Sequence, residues 1–130
     1  MPPWMVTRDL DRGQACLEDI SGRPVAAMRV PYGAASLATV AHARRRGLQL
    51  VGWSRWGYDW LPRRSPGAIC RRLTDGVGGG DILLLHDADR YSASRSWAAT
   101  RDALAGIRVA LDAAGLEATS LRAAQSPASG

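Results

Sequence analysis

Leu83-Leu84-Leu85-His86-Asp87 is an apolar run that stops on two residues able to move protons. Asp81-Ile82 leads into it and Ala88-Asp89-Arg90-Tyr91-Ser92 follows. A run this short, closed by polar residues, suits a fully buried parallel strand and falls well below the roughly 18 apolar residues of a membrane span. His86 then sits at the carboxyl end of that strand. In parallel α/β architectures the loops at that end converge and active sites form there. His86 is therefore the first candidate for chemistry, the plain alternative being a strand-end histidine satisfied by a backbone carbonyl.

The segments on either side alternate helix and strand. A helix is expected from Arg8 to Ile20, capped by Thr7 and stopped by Gly22-Arg23-Pro24. Val25 to Val30 reads as a strand that ends in the turn Pro31-Tyr32-Gly33, and Ser36 caps a helix with Leu37, Val40 and Ala41 inward, ending at Gly47. Gln49 to Ser54 is the next strand and Arg55 to Trp60 the loop after it. Ser65 then caps a helix that begins with Pro66 and carries Ile69, Leu73 and Val77 as its apolar stripe. Gly76 to Gly80 follows a helix, precedes a strand and lacks Gly-Lys-Ser/Thr, so it reads as a turn and not a phosphate loop. The longest helix starts at Ser94 or Ser96, its stripe being Trp97, Thr100, Leu104, Ile107, Leu111 and Ala114, and Gly115 ends it. Ala118 to Leu121 supplies a last short strand. Such alternation argues for parallel strands joined by helical crossovers, in a barrel or an open sheet. The segments after the strands, Arg29 to Gly33, Arg55 to Trp60 and His86 to Tyr91, are then expected at one rim.

The totals fit this reading. With 130 residues, 46% hydrophobic and 22% charged, the chain has the size of one domain and the composition of a packed one. All 17 basic residues behind the net charge of +5 are arginine, scattered except for Arg44-Arg45-Arg46, which suits a compositional bias and not a nucleic-acid surface. Cys16 and Cys70 lie far apart, without metal-ligand or disulfide spacing, and read as buried free thiols. No signal peptide or membrane segment is visible, so the expected location is the cytoplasm as the sequence is written.

Arg29-Val30-Pro31-Tyr32-Gly33, Asp59-Trp60 and Leu84-Leu85-His86-Asp87 together resemble, in order and spacing, the third, fourth and fifth motifs of the polysaccharide deacetylase (NodB-homology) family. The resemblance covers residues 7 to 121, leaving 1 to 6 as an irregular N-terminus and 122 to 130 as a flexible tail. It implies an α/β fold, a partial distorted (β/α) barrel with parallel strands that lacks its N-terminal strands. It also implies a hydrolase that removes acetyl groups from N-acetylated oligo- or polysaccharides with the help of a divalent, zinc-like metal. By position, His86 resembles the general acid that protonates the leaving amine, and Asp59 the carboxylate that orients it. Arg29 resembles the residue holding the base carboxylate, and the Tyr32 N–H the oxyanion donor. Leu84 would line the acetyl-methyl pocket and Trp60 would wall the sugar groove.

The sequence also departs from the family pattern. The first motif (T-F-D-D, with the base and a metal ligand) and the second (H-x-x-x-H, two metal ligands) are not found before Arg29, and Trp56 and Val30 replace residues common in the later motifs. The other histidine, His42, lies mid-helix and is assigned no role. The expectation is a chain matching the family's C-terminal half, silent alone, with metal bound only where an N-terminal half is supplied. The alternative is a non-catalytic glycan binder that stacks sugars on Trp60, Trp56 and Tyr58. Unpaired strand edges, at Val25 to Val30 or the last strand, are expected to favour self-association.

Overall fold

The computed structural model describes residues 2 to 121, so the expected tail at 122 to 130 lies outside the described residues. The chain divides into two compact units, Met1–Gly52 and Trp53–Gly130. Among the described residues no helix is long and apolar enough to cross a membrane.

The first unit opens with α1, Pro3–Ser21, so most of the expected irregular start is helical. Proline is favoured in a first helical turn, where its missing N–H has no partner to lose, and the helix starts there instead of at Thr7. Thr7 lies inside α1 and its hydroxyl donates back to the Trp4 carbonyl at 3.0 Å. Gly22, at φ 63°, closes the helix in the left-handed conformation that favours glycine. Strand β1, Ala27–Met28, pairs in parallel with β2, Gln49–Leu50. Both strands are shorter than expected. Pro24 and Pro31 flank β1 and have no N–H to give to a ladder.

Helix α2, Leu37–Arg45, is capped by Ser36, whose hydroxyl accepts from the Thr39 N–H at 3.1 Å. Its inward face is Thr39, His42 and Ala43, not Leu37, Val40 and Ala41, and Leu37 is 89% exposed. His42 is a buried packing residue whose Nε2 lies 3.9 Å from Asp11 of α1.

In the second unit, β3, Arg55–Trp56, pairs in parallel with β4, Leu83–Leu84, so the expected post-strand loop begins as a strand. Helix α3, Pro66–Thr74, is capped by Ser65 and packs on α4, Ser96–Ala113. Ile69 and Leu73 of α3 and Ala103, Ile107 and Leu111 of α4 form the core, with Val77, Leu83 and Leu85 against it. The α4 stripe agrees with the one expected at Thr100, Ile107 and Leu111 and departs from it elsewhere: Ser96 and Ala103 turn inward, and Leu104 is 51% exposed. Gly106 lets α4 approach α3 closely, since a Cβ there would stand 3.2 Å from the Cys70 sulfur. Cys70 is half-buried, but Cys16 is exposed, contrary to the expected buried thiols. Among the described residues no strand forms at 118 to 121, and what is established is a mixed α/β fold with short parallel pairs.

The Gly76 to Gly80 turn holds a carboxylate of its own chain. Asp81 accepts from the Ser54 hydroxyl (2.6 Å), the Arg55 Nε–H (2.6 Å) and the Gly78 N–H (3.0 Å). The Ser54 and Gly78 hydrogen bonds, then Arg55, pull the Asp81 carboxyl down from 3.8 to about 2. A carboxylate favoured in this way by the fold adds stability that is full above its unfolded pKa of 3.8 and is lost as the pH falls through about 2. Asp81→Asn is therefore expected to lower the thermal midpoint near neutral pH, with the gap to the parent closing toward pH 2; a gap constant from neutral pH to about 2 would contradict the assignment.

Candidate active site

The segment after β3 turns sharply and is held by packing and by backbone hydrogen bonds. Gly57 is buried, and a Cβ on it would stand 2.8 Å from Ile69 Cγ2, so only glycine lets the chain lie this close to α3. Tyr58 follows at φ 52°. The Trp60 carbonyl accepts from the Ala93 N–H at 3.0 Å, and the Leu61 N–H donates to the Tyr58 carbonyl at 3.1 Å. Between these anchors Asp59 points into the unit and is 1% exposed.

The Asp59 carboxylate receives three donors. Its Oδ1 lies 2.9 Å from His86 Nδ1, and its Oδ2 accepts from the His86 N–H at 2.7 Å and from the Thr100 hydroxyl at 2.8 Å. A carboxylate can only accept, so the hydrogen of this contact belongs to Nδ1, and Nε2 is left for work on the other side of the ring. The His86 side chain is 39% exposed while that of Asp59 is fully covered, an arrangement in which one partner meets solvent and the other holds it. Trp60 meets the His86 ring edge-on at 5.2 Å, completing one wall. Trp56, Tyr58 and Trp60 form a ladder with centroids 5.5 and 5.0 Å apart. The Arg72 guanidinium lies over one face of Tyr58, 4.1 Å from the ring centroid.

Of the residues named from sequence, Asp59, Trp60, Leu84 and His86 are brought together in the second unit, Leu84 buried in β4 two residues before His86. Arg29 and Tyr32 belong to the first unit, where Arg29 is exposed and Tyr32 is 88% exposed at φ 57° within the turn Pro31–Gly33. In the sequence Thr100 stands out only as a member of the α4 stripe; a hydroxyl at an inward position is the signal that it needs a partner. Asp89, also unnamed, accepts from the Arg95 N–H at 2.6 Å and shapes the turn into α4. Among the described residues no group of three His, Cys, Asp or Glu side chains comes together to hold a metal ion. The donor set thus does not fit the metal that the resemblance implies, and no step is routed through one.

With this geometry established, the likeness to solved structures is informative. The chain superposes on a family 4 carbohydrate esterase from Streptomyces lividans, solved with acetate, with TM-score 0.73 and 22% identity over 93% of this chain and 58% of that one. A CE4 family pseudoenzyme from Bacillus anthracis gives TM-score 0.73 and 19% identity over 90% of this chain and 38% of that one. The peptidoglycan deacetylase PdaC from Bacillus subtilis gives 0.67 and 22% over 95% and 55%. The fold is therefore that of the CE4 carbohydrate esterases and deacetylases, and this chain spans little more than half the length of such structures at most. No protein-family model and no curated protein sequence matches it.

Three substitutions, read by urea unfolding, check the site. Asp59→Asn puts an amide NH2 among three donors and is expected to cost about 3 kcal/mol in urea unfolding, because it leaves buried groups unpaired. His86→Ala, at a half-exposed ring, is expected to cost less than half as much, and the reverse order would contradict the buried-carboxylate account. Gly57→Ala is expected to destabilise by about 1–3 kcal/mol through overpacking against Ile69, read from the same unfolding curves.

Proposed function

We propose that this chain carries the proton-donating arm of a polysaccharide deacetylase, a hydrolase that removes acetyl groups from N-acetylated sugar polymers. The single observation behind the reading is the His86–Asp59 pair: Nδ1 on a buried carboxylate at 2.9 Å, with the ring half-exposed beside Trp60. The fold supports it, since the S. lividans and B. subtilis structures are described as a carbohydrate esterase and a peptidoglycan deacetylase.

In this reading a water oxygen has added to the acetyl carbon, and the protonated His86 imidazole gives its Nε2 hydrogen to the sugar nitrogen as the bond from that nitrogen to the acetyl carbon breaks and the carbonyl re-forms, leaving acetate, the free amine and a neutral imidazole. An amine leaves poorly as an anion, so the proton must arrive as the bond breaks. Asp59 holds Nδ1 and keeps the ring in place, Trp60 walls the sugar, and Leu84 lies toward the acetyl methyl. Arg29 and Tyr32 retain the roles of carboxylate holder and oxyanion donor on the resemblance alone. The step assigned to the second unit is the proton transfer.

The test is acetate release from N-acetylated chito-oligosaccharides by the native product isolated from its source cells, in buffer containing zinc. Release is expected where that product carries an N-terminal half with the base and metal ligands, and His86→Ala introduced into it is expected to lower kcat by about 10²- to 10⁴-fold. Undiminished release by the His86→Ala protein would remove His86 from the acid role. No release by the parent, with N-acetylated peptidoglycan fragments also untouched, would overturn the hydrolase reading.

A further inference from the structure

The group that completes the hold on Asp59 comes from α4, not from the loops that carry Asp59 and His86. Thr100 is 6% exposed, and its hydroxyl lies 2.8 Å from Asp59 Oδ2 but 3.5 Å from the Ser96 carbonyl, so the carboxylate is its near acceptor. Asp59 Oδ2 thus takes two donors from separate elements, the His86 N–H beyond β4 and the Thr100 hydroxyl on α4. Two donors on one oxygen fix the plane of the carboxylate, and with that plane fixed Oδ1 faces His86 Nδ1 at 2.9 Å. Without the hydroxyl, Oδ2 keeps one partner. The carboxylate is then held by His86 alone, through the His86 N–H on Oδ2 and Nδ1 on Oδ1, with nothing on a separate element to fix its orientation, and the imidazole loses part of the bias that places its hydrogen on Nδ1.

We propose that Thr100 is a positioning residue of the His86–Asp59 pair: it holds the carboxylate so that neutral His86 carries its hydrogen on Nδ1 and presents a free Nε2. The catalytic consequence rests on the deacetylase reading, whereas the tautomer is a property of the chain without substrate. Thr100 touches neither a reacting atom nor the expected sugar; it acts through Asp59.

The experiment is nitrogen NMR of the full chain labelled with 15N-histidine, at a pH where the imidazoles are neutral. The sequence has two histidines, His42 and His86, and His86→Gln assigns the signals. The parent is expected to show His86 with a protonated Nδ1 and a bare Nε2. Thr100→Val, close in shape and without the donor, is expected to shift both His86 nitrogens toward a mixture of tautomers, leaving His42 unmoved. Thr100→Ser is expected to restore the parent pattern. A folded Thr100→Val chain that keeps the parent His86 signals overturns the proposal. Where Thr100→Val does not fold, Thr100→Cys, a much weaker donor of similar size, is read by the same two outcomes. In the acetate assay, Thr100→Val is expected to lower kcat about tenfold or more with KM within about twofold, and Thr100→Ser to recover it. A parent that releases no acetate sinks the deacetylase reading and leaves the tautomer result standing.

Discussion

The second unit is arranged around one buried carboxylate. Asp59 is 1% exposed, and a charged group so placed persists only when its oxygens are satisfied. Its three donors come from two places far apart in sequence, the end of β4 and the first turns of α4. The pair of helices, the parallel strand pair and the site are therefore interdependent. Phase, register and loop path must all agree for Asp59 to be paired, and this agreement across levels is what specifies one structure.

The packing beneath the site serves that requirement. Gly57 brings the end of β3 onto Ile69, and Gly106 brings α4 onto Cys70. Both are places where a side chain would hold two elements apart. Close packing of α3 on α4 puts Thr100 within reach of Asp59, and the anchored carbonyl of Trp60 keeps the aromatic wall beside His86. Asp81 plays a parallel part at the amino end of the strands, where it ties Ser54, Arg55 and the glycine turn together in front of β3 and β4.

The positions of His86 and Asp59 after strands were legible in the sequence because they follow strands at short, fixed distances, whereas their roles rest on the resemblance. His86 closes an apolar run, and Asp59-Trp60 follows a strand and a glycine. Local chemistry was equally legible at Ser36, Ser65 and Gly22, where a cap or a left-handed turn depends on the residue itself. The start of α1 was missed because Pro2-Pro3 reads as irregular until one notes that a proline in the first turn loses no hydrogen bond. The inward face of α2 was missed because a buried histidine and threonine look polar in a hydropathy pattern.

By itself, the sequence determined the alternation of helices and strands, the turns and caps, and the place of His86 after an apolar strand, since these depend on spacing and on residues acting on their own backbone; the pairing of His86 with Asp59 came from the resemblance alone. Tertiary structure decided that Ser96 and Ala103 turn inward and Leu104 to solvent on α4, that the inward Thr100 hydroxyl meets Asp59, which carboxylate is buried and which nitrogen of His86 is held. Those outcomes depend on contacts between elements distant in the chain, and a one-residue change in helical phase, invisible in a three- and four-residue apolar spacing, moves a hydroxyl from the core to water.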